Sequence, residues 1–166
     1  SYWGYWSNGK PYAGDNAHVN NGGTTQIRYS SETCAWLRLG DGASDSGTAH
    51  VDGSGRLLAD LRIGVEGEGT MKITGGGKVT CTRAFIASSL GSIGKVTVDG
   101  EGSAWGAGTA PNNFVFYVGG QGNGTLTVTN GGDVNHHNNV AIGYFPGSVG
   151  AVRVDDAGST WKTWEL

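Results

Sequence analysis

Apolar residues recur along the chain in pairs that bracket one polar residue. The second members of these pairs are Val19, Val51, Ile73, Val98, Val128 and Val154. Two positions earlier stand Ala17, Ala49, Met71, Val96, Leu126 and Val152, and His18, His50, Lys72, Thr97, Thr127 and Arg153 lie between. A period of two with alternating faces is strand geometry. Each pair runs into a corner rich in Gly, Asn or Asp, such as Asn21-Gly22-Gly23, Gly75-Gly76-Gly77 and Asn130-Gly131-Gly132. These residue types tolerate the positive φ that sharp corners require.

A second strand family ends at Leu39, Ile63, Ile86, Val118 and Ile142, with Leu37, Leu61, Ala84, Phe116 and Val140 two residues earlier. Glycine follows directly at Gly40, Gly64, Gly119 and Gly143, and Ala87 is the exception. From this family to the next member of the first, the spacing is 12, 10, 12, 10 and 12 residues. That alternation makes a pair of rungs the repeating unit. Even rungs add an apolar residue seven positions after the valine, at Leu58, Trp105 or Trp161. Stacked units of roughly 24 residues, none able to bury its apolar face alone, predict an all-β solenoid of about six rungs. A β-propeller needs blades of about 40 residues.

Composition narrows the picture. The chain holds 32 glycines but only 3 prolines, and the glycines have no three-residue period, which excludes collagen. Apolar residues recur too regularly for disorder, and no apolar stripe has helical period, so helix is expected to be essentially absent. The net charge is -3 and the 11 basic residues are scattered, which argues against nucleic acid as a partner. No apolar run approaches the roughly 18 residues of a membrane span. Because Ser1 rather than Met stands first, the sequence reads as exported, its signal peptide removed. One domain is expected over residues 1–166: an aromatic segment at 1–16, stacked rungs at 17–158 and an unfinished rung at 159–166.

The segment Gly124-Thr125-Leu126-Thr127-Val128-Thr129-Asn130-Gly131-Gly132 resembles one half of a known repeat. Gly147-Ser148-Val149-Gly150-Ala151-Val152-Arg153-Val154, with Ala157-Gly158-Ser159-Thr160-Trp161, resembles the other. Together they are similar to the type V secretion and PEP-CTERM-associated repeat of bacterial autotransporter passengers and other exported proteins, over about residues 17 to 161. The resemblance implies a right-handed parallel β-helix outside a bacterium, extracellular or on its surface. It carries no catalytic motif.

Candidate sites are few. Asp52, Asp99 and Asp155 are expected in one outward column, on every second rung with Thr74 and Thr129 between. An acid pair for glycan cleavage is one reading of that column, and a charge-diluted structural ladder is the favoured one. Asp41 and Asp45, with Ser44 and Ser46, loosely resemble calcium ligands but lack the nonapeptide calcium repeat. His18 and His50 are expected on neighbouring rungs of one column, without a third ligand. His136 and His137 read as a polar arc between strands. No cofactor or metal is implied. The outward column Arg38, Arg62, Phe85, Tyr117 and Ala141 reads either as a stacking ladder with an Arg62–Phe85 cation–π contact, or as a face for sugar or protein. Cys34 and Cys81 are equivalent positions two rungs apart, with Leu58 between, too far to bridge.

Aromatic residues crowd the chain ends. Tyr2, Trp3, Tyr5, Trp6 and Tyr12, with Trp161, Trp164 and Leu166, form a candidate self-assembly interface. The unfinished last rung and the Trp3-Gly4 segment suggest head-to-tail joining into a filament. A non-catalytic extracellular filament subunit, its partner a second copy of itself, is therefore the leading expectation. A surface adhesin binding surface glycans or host and matrix proteins is the alternative, and a pectate-lyase-like enzyme is less favoured.

Overall fold

The computed structural model describes residues 11–107, 115–137 and 139–164. Tyr2, Trp3, Tyr5, Trp6 and Leu166, and the side chains of His137 and Trp164, lie outside the described residues. Chain order runs β1 (Asn16–Val19), β2 (Gly23–Ile27), β3 (Ser31–Leu39), β4 (Ser46–Asp52), β5 (Arg56–Ile63) and β6 (Glu68–Thr74). It continues through β7 (Lys78–Cys81), β8 (Arg83–Ile86), β9 (Ile93–Asp99), β10 (Ala104–Ala107), β11 (Val115–Val118) and β12 (Asn123–Thr129). It ends with β13 (Asp133–His137), β14 (Val140–Ile142), β15 (Val149–Val154) and β16 (Thr160–Trp164). Among the described residues there is no helix. Strand pairing is parallel throughout, and the strands stack as a β-solenoid of about five turns.

The solenoid has three faces where the sequence pattern indicated two strand families. The first face is the six-stranded sheet β2-β4-β6-β9-β12-β15, with Ile27, Val51, Ile73, Val98, Val128 and Val154 in register. The second stacks β1, the C-terminal halves of β3 and β5, then β8, β11 and β14, aligning Val19, Leu39, Ile63, Ile86, Val118 and Ile142. Val19 thus belongs to the second family, not the first. The true first-family strand at this end is Thr25-Gln26-Ile27, which puts a buried threonine at an inward position and so lacks the apolar pair.

The third face stacks the N-terminal halves of β3 and β5 with β7, β10, β13 and β16. Its inward column reads Glu32, Leu57, Val79, Trp105, Val134 and Trp161. Leu58, aligned with Trp105 and Trp161 by its spacing, is exposed, because the corner before β5 is one residue shorter than the corner before β10. Leu58 pairs with Thr33 and Thr80, so Ala59 rather than Leu58 continues the inward line between Cys34 and Cys81. Both cysteines are free and buried.

Alternating exposure along most strands, clearest in β12, sends one side-chain set into a single apolar core. Trp105 and Phe116 are its largest fully buried side chains, their ring centroids 4.9 Å apart. Such a pair adds about 0.5–1.5 kcal/mol beyond the area it buries. His136 corrects its sequence reading. It is fully buried, 4.2 Å from the Phe116 ring centroid and 5.6 Å from that of Trp105.

The corner after the second face explains its glycines. Gly64 has φ +72, and a Cβ there would meet the carbonyl oxygen of Ile93 on the next turn at 2.2 Å. Stacked turns approach too closely at this point for a side chain. The corner sets where the second face begins and ends, and therefore which side chains line its outer surface.

Candidate functional site

The outer surface of the second face carries a continuous strip of aromatic and arginine side chains. Register places Arg38, Arg62, Phe85, Tyr117 and Ala141 in one column, as the sequence indicates. A parallel column two residues earlier adds Trp36 and Arg83, and Tyr144 and Phe145 extend the strip beyond the corner at Gly143. Small corner residues leave these large side chains free to lie over one another along the stack.

The strip is built by ring contacts. Trp36 and Phe85 stack with centroids 6.2 Å apart and planes 28° from parallel. The Arg62 guanidinium lies 4.9 Å from the Trp36 ring centroid and 5.7 Å from that of Phe85. The expected Arg62–Phe85 contact is therefore present, with Trp36 as a second aromatic partner. Arg83 lies 4.5 Å from the same Trp36 ring. Phe85 meets Tyr117 edge-on at 5.5 Å, and Tyr117 stacks on Tyr144 at 4.4 Å. Tyr144 meets Phe145 edge-on at 4.7 Å.

Charge on the strip is unevenly compensated. Arg83 is bound to Asp60, whose carboxylate also accepts the backbone N–H groups of Thr82 and Arg83. Arg38 Nε lies 3.2 Å from Asp41 but does not point at its oxygen, so this pair is ionic without a hydrogen bond. Asp41 also sits 2.7 Å from His18 Nδ1. Arg62 has no carboxylate within ion-pair distance among the described residues. Burial, chiefly, pulls its pKa below the usual arginine value; Arg38 and Arg83 add to this, and Asp41 opposes it. A guanidinium stays charged through such a shift.

The other candidates separate. Asp52, Thr74, Asp99 and Thr129 are in register on the first face, as expected. Each aspartate is engaged locally. Asp52 accepts from Gln26 and Arg28, Asp99 from the Thr129 hydroxyl and the Asn130 amide at 2.7 Å each, and Asp155 from Arg153. Those hydrogen bonds hold all three carboxyls below the usual aspartate range. His18 and His50 do not share a column. His18 pairs in register with Arg38 on the second face, and His50 with Gln26 and Lys72 on the first. The cause is the reassignment of Val19. Asp41 and Asp45 have separate partners, Asp41 taking Arg38 and His18 and Asp45 the backbone N–H of Gly42.

Of the candidate assembly residues, Tyr12 is exposed at a turn closed by Asp15, and Trp161 is half-buried against the core. Sequence reasoning missed Trp36, Arg83 and Tyr144. The first two stand two residues before Arg38 and Phe85, so strand alternation alone places them on the same outer face. Tyr144 lies past a corner, where alternation is lost.

The chain is similar over 98 residues, at 39% identity, to the uncharacterized lipoprotein YdeK of Escherichia coli (strain K12). The match covers 58% of this chain and 7% of that protein, so the chain spans a small part of its relative's length. No family model and no solved structure matches.

Proposed function

We propose that this chain is a non-catalytic structural β-solenoid of the bacterial surface or exterior, extending by head-to-tail stacking of copies. One observation carries the reading. Val118 and Val128 are fully buried under the turn that follows them, whereas their register partners on the last turn, Ile142 and Val154, are 48% and 42% exposed. Tyr144, Phe145 and Val149 are exposed beside them. The edges of β14, β15 and β16 lack a strand beyond them among the described residues. An apolar turn of this kind, with strand edges unpaired among the described residues, fits a further rung, whether from continuing chain or from a second copy. We adopt the second copy.

Topology supports a second copy as the occupant. At the opposite end, β1 and β2 are each paired on one side only among the described residues, on the second and first faces. The chain passes from β14 on the second face to β15 on the first and β16 on the third. The next strand in that rotation belongs on the second face, which is where β1 of another copy would lie, above β14. Its β2 and the start of β3 would then cover β15 and β16. In this arrangement β1, with Ala17 and Val19, completes the rung that the sequence pattern had given to Trp3-Gly4. The contact is heterologous and leads to an open filament. Similarity to a lipoprotein is consistent with a surface or membrane-anchored location.

Sedimentation velocity at rising concentration, with electron microscopy of the fastest fraction, tests the reading. Rods of constant width that lengthen with concentration are expected, and Val154→Asp should leave monomers with an unchanged far-ultraviolet spectrum. An intact chain that stays monomeric at high concentration overturns it.

A further inference from the structure

We propose that the outer strip of the second face binds an acidic polysaccharide, with Arg62 receiving a sugar carboxylate and the aromatic rings carrying the sugar faces. Among the described arginines, Arg28, Arg38, Arg83 and Arg153 have aspartate partners and Arg56 is exposed. Arg62 alone is a half-covered guanidinium without a carboxylate. It lies within cation–π distance of both Trp36 and Phe85, which hold it against the strip. A rigid planar fork with unused N–H donors matches a carboxylate in two-point geometry. The local balance supports an anion: among the described residues Arg38, Arg62 and Arg83 are matched by Asp41 and Asp60, in a chain whose net charge is -3. One uncompensated charge suits a singly charged carboxylate better than a dianionic phosphate.

The remainder of the strip says what bears that carboxylate. Phe85, Tyr117, Tyr144 and Phe145 continue from Arg62 along the stack as linked rings. Aromatic faces are electron-rich and attract weakly positive C–H faces, while tyrosine hydroxyls add polar contacts. From β3 to β14 the strip crosses five strands, on the order of 19 Å at about 4.8 Å per step. That length accommodates several sugar units lying across the strands. Trp36, Arg62, Phe85 and Tyr117 lie on the side of the solenoid, whereas Tyr144 and Phe145 also border the end that stacks, so the two readings are separated by testing the non-stacking Val154→Asp chain beside the intact one.

Binding of polygalacturonate, its fully methyl-esterified form, neutral dextran and sulfated heparin is measured by affinity electrophoresis and by tryptophan fluorescence. The assays use the intact chain and the Val154→Asp variant, so that avidity from assembly is separated from intrinsic affinity. Polygalacturonate should bind and should quench Trp36, while the esterified polymer and dextran bind at least tenfold more weakly. Arg62→Gln should weaken binding at least tenfold, and Arg62→Lys several-fold because the planar fork is lost. Tyr144→Ser, at an exposed position, should weaken it without disturbing the fold. Lys72→Gln removes an equal charge from the first face and should change affinity less than twofold. Equal losses for Arg62→Gln and Lys72→Gln, equal binding of the esterified polymer, binding of heparin alone, or no binding of polygalacturonate would each overturn the proposal.

Discussion

The indole N–H of Trp105 donates to the sulfur of Cys81 across 3.2 Å, joining two neighbouring strands of the third face inside the core. His136 Nε2 lies 4.0 Å from the same sulfur. Burial pushes the Cys81 thiol up to about 12, with the Trp105 hydrogen bond opposing, and burial likewise raises Cys34 to about 11. Reactivity resides in the thiolate, so both groups are inert while folded. At pH 8 an aromatic disulfide reagent should label neither cysteine in the native chain and both after denaturation. Because the folded pKa values lie above the ordinary value of 9.0, the unfolded chain loses these protons first. Their contribution to stability is complete below that value and is lost as pH rises toward 11–12. The urea midpoint should therefore fall between pH 8 and pH 10.5, and less so in a Cys34→Ala, Cys81→Ala variant.

Asp52 behaves in the opposite sense. Its carboxylate accepts from Arg28 at 2.7 and 2.9 Å and from Gln26 at 3.1 Å, and His50 lies 4.0 Å away. The Arg28 hydrogen bond, chiefly, holds its pKa below the usual 3.8. Arg28 is half exposed, so water screens the pair. Asp52→Ala should cost about 1 kcal/mol at pH 6. A depressed pKa gives stability that is present above the ordinary value and lost as pH falls through the folded one. The gap between the parent chain and Asp52→Ala should accordingly close between pH 5 and pH 2 in thermal melts.

The corner glycines allow steric and conformational costs to be separated. Gly64 and Gly91 both have positive φ, +72 and +78, but a Cβ at Gly91 would meet nothing within 4 Å. Gly91→Ala should cost about 1–2 kcal/mol for the left-handed backbone alone. Gly64→Ala adds a collision with the Ile93 carbonyl oxygen and should cost clearly more, or prevent folding. Equal costs in urea denaturation would show that the turns separate to admit a methyl group.

What the sequence revealed follows from how regular each face is. The first and second faces were legible because inward apolar residues two positions apart, as in Met71-Lys72-Ile73 and Leu61-Arg62-Ile63, recur on every turn except the first turn of the first face. The third was not, because its inward column holds residues as unlike as Glu32, Val79 and Trp105, and its corners differ in length by one residue. A register shift between Thr33 and Trp36 further obscures it. At the first turn, Thr25 at an inward position hid a strand and displaced Val19, which in turn misplaced His18. The core of the candidate site was legible, since Arg38, Arg62, Phe85 and Tyr117 share the period of the second face. The compensation of Arg38 by Asp41 and of Arg83 by Asp60 was not. It depends on which side chains lean together across strands, which spacing does not encode.

Val128 and Val154 permit one substitution to be compared with and without a covering turn. They are register partners at one inward position, the former fully buried and the latter 42% exposed. Val128→Asp places an unpaired carboxylate between aliphatic neighbours from the turns on either side. That should cost several kcal/mol, enough to unfold much of the population at room temperature. Val154→Asp leaves the carboxylate in contact with water on one side. In dilute solution, where copies are separate, it should lower stability by less than about 1 kcal/mol. The ordering should reverse in importance for assembly. At high concentration the parent chain gains stability from its neighbours by mass action, so its melting temperature should rise with concentration. The Val154→Asp chain should melt at a temperature independent of concentration. Concentration-dependent melting that persists in Val154→Asp would place the contact between copies elsewhere on the solenoid.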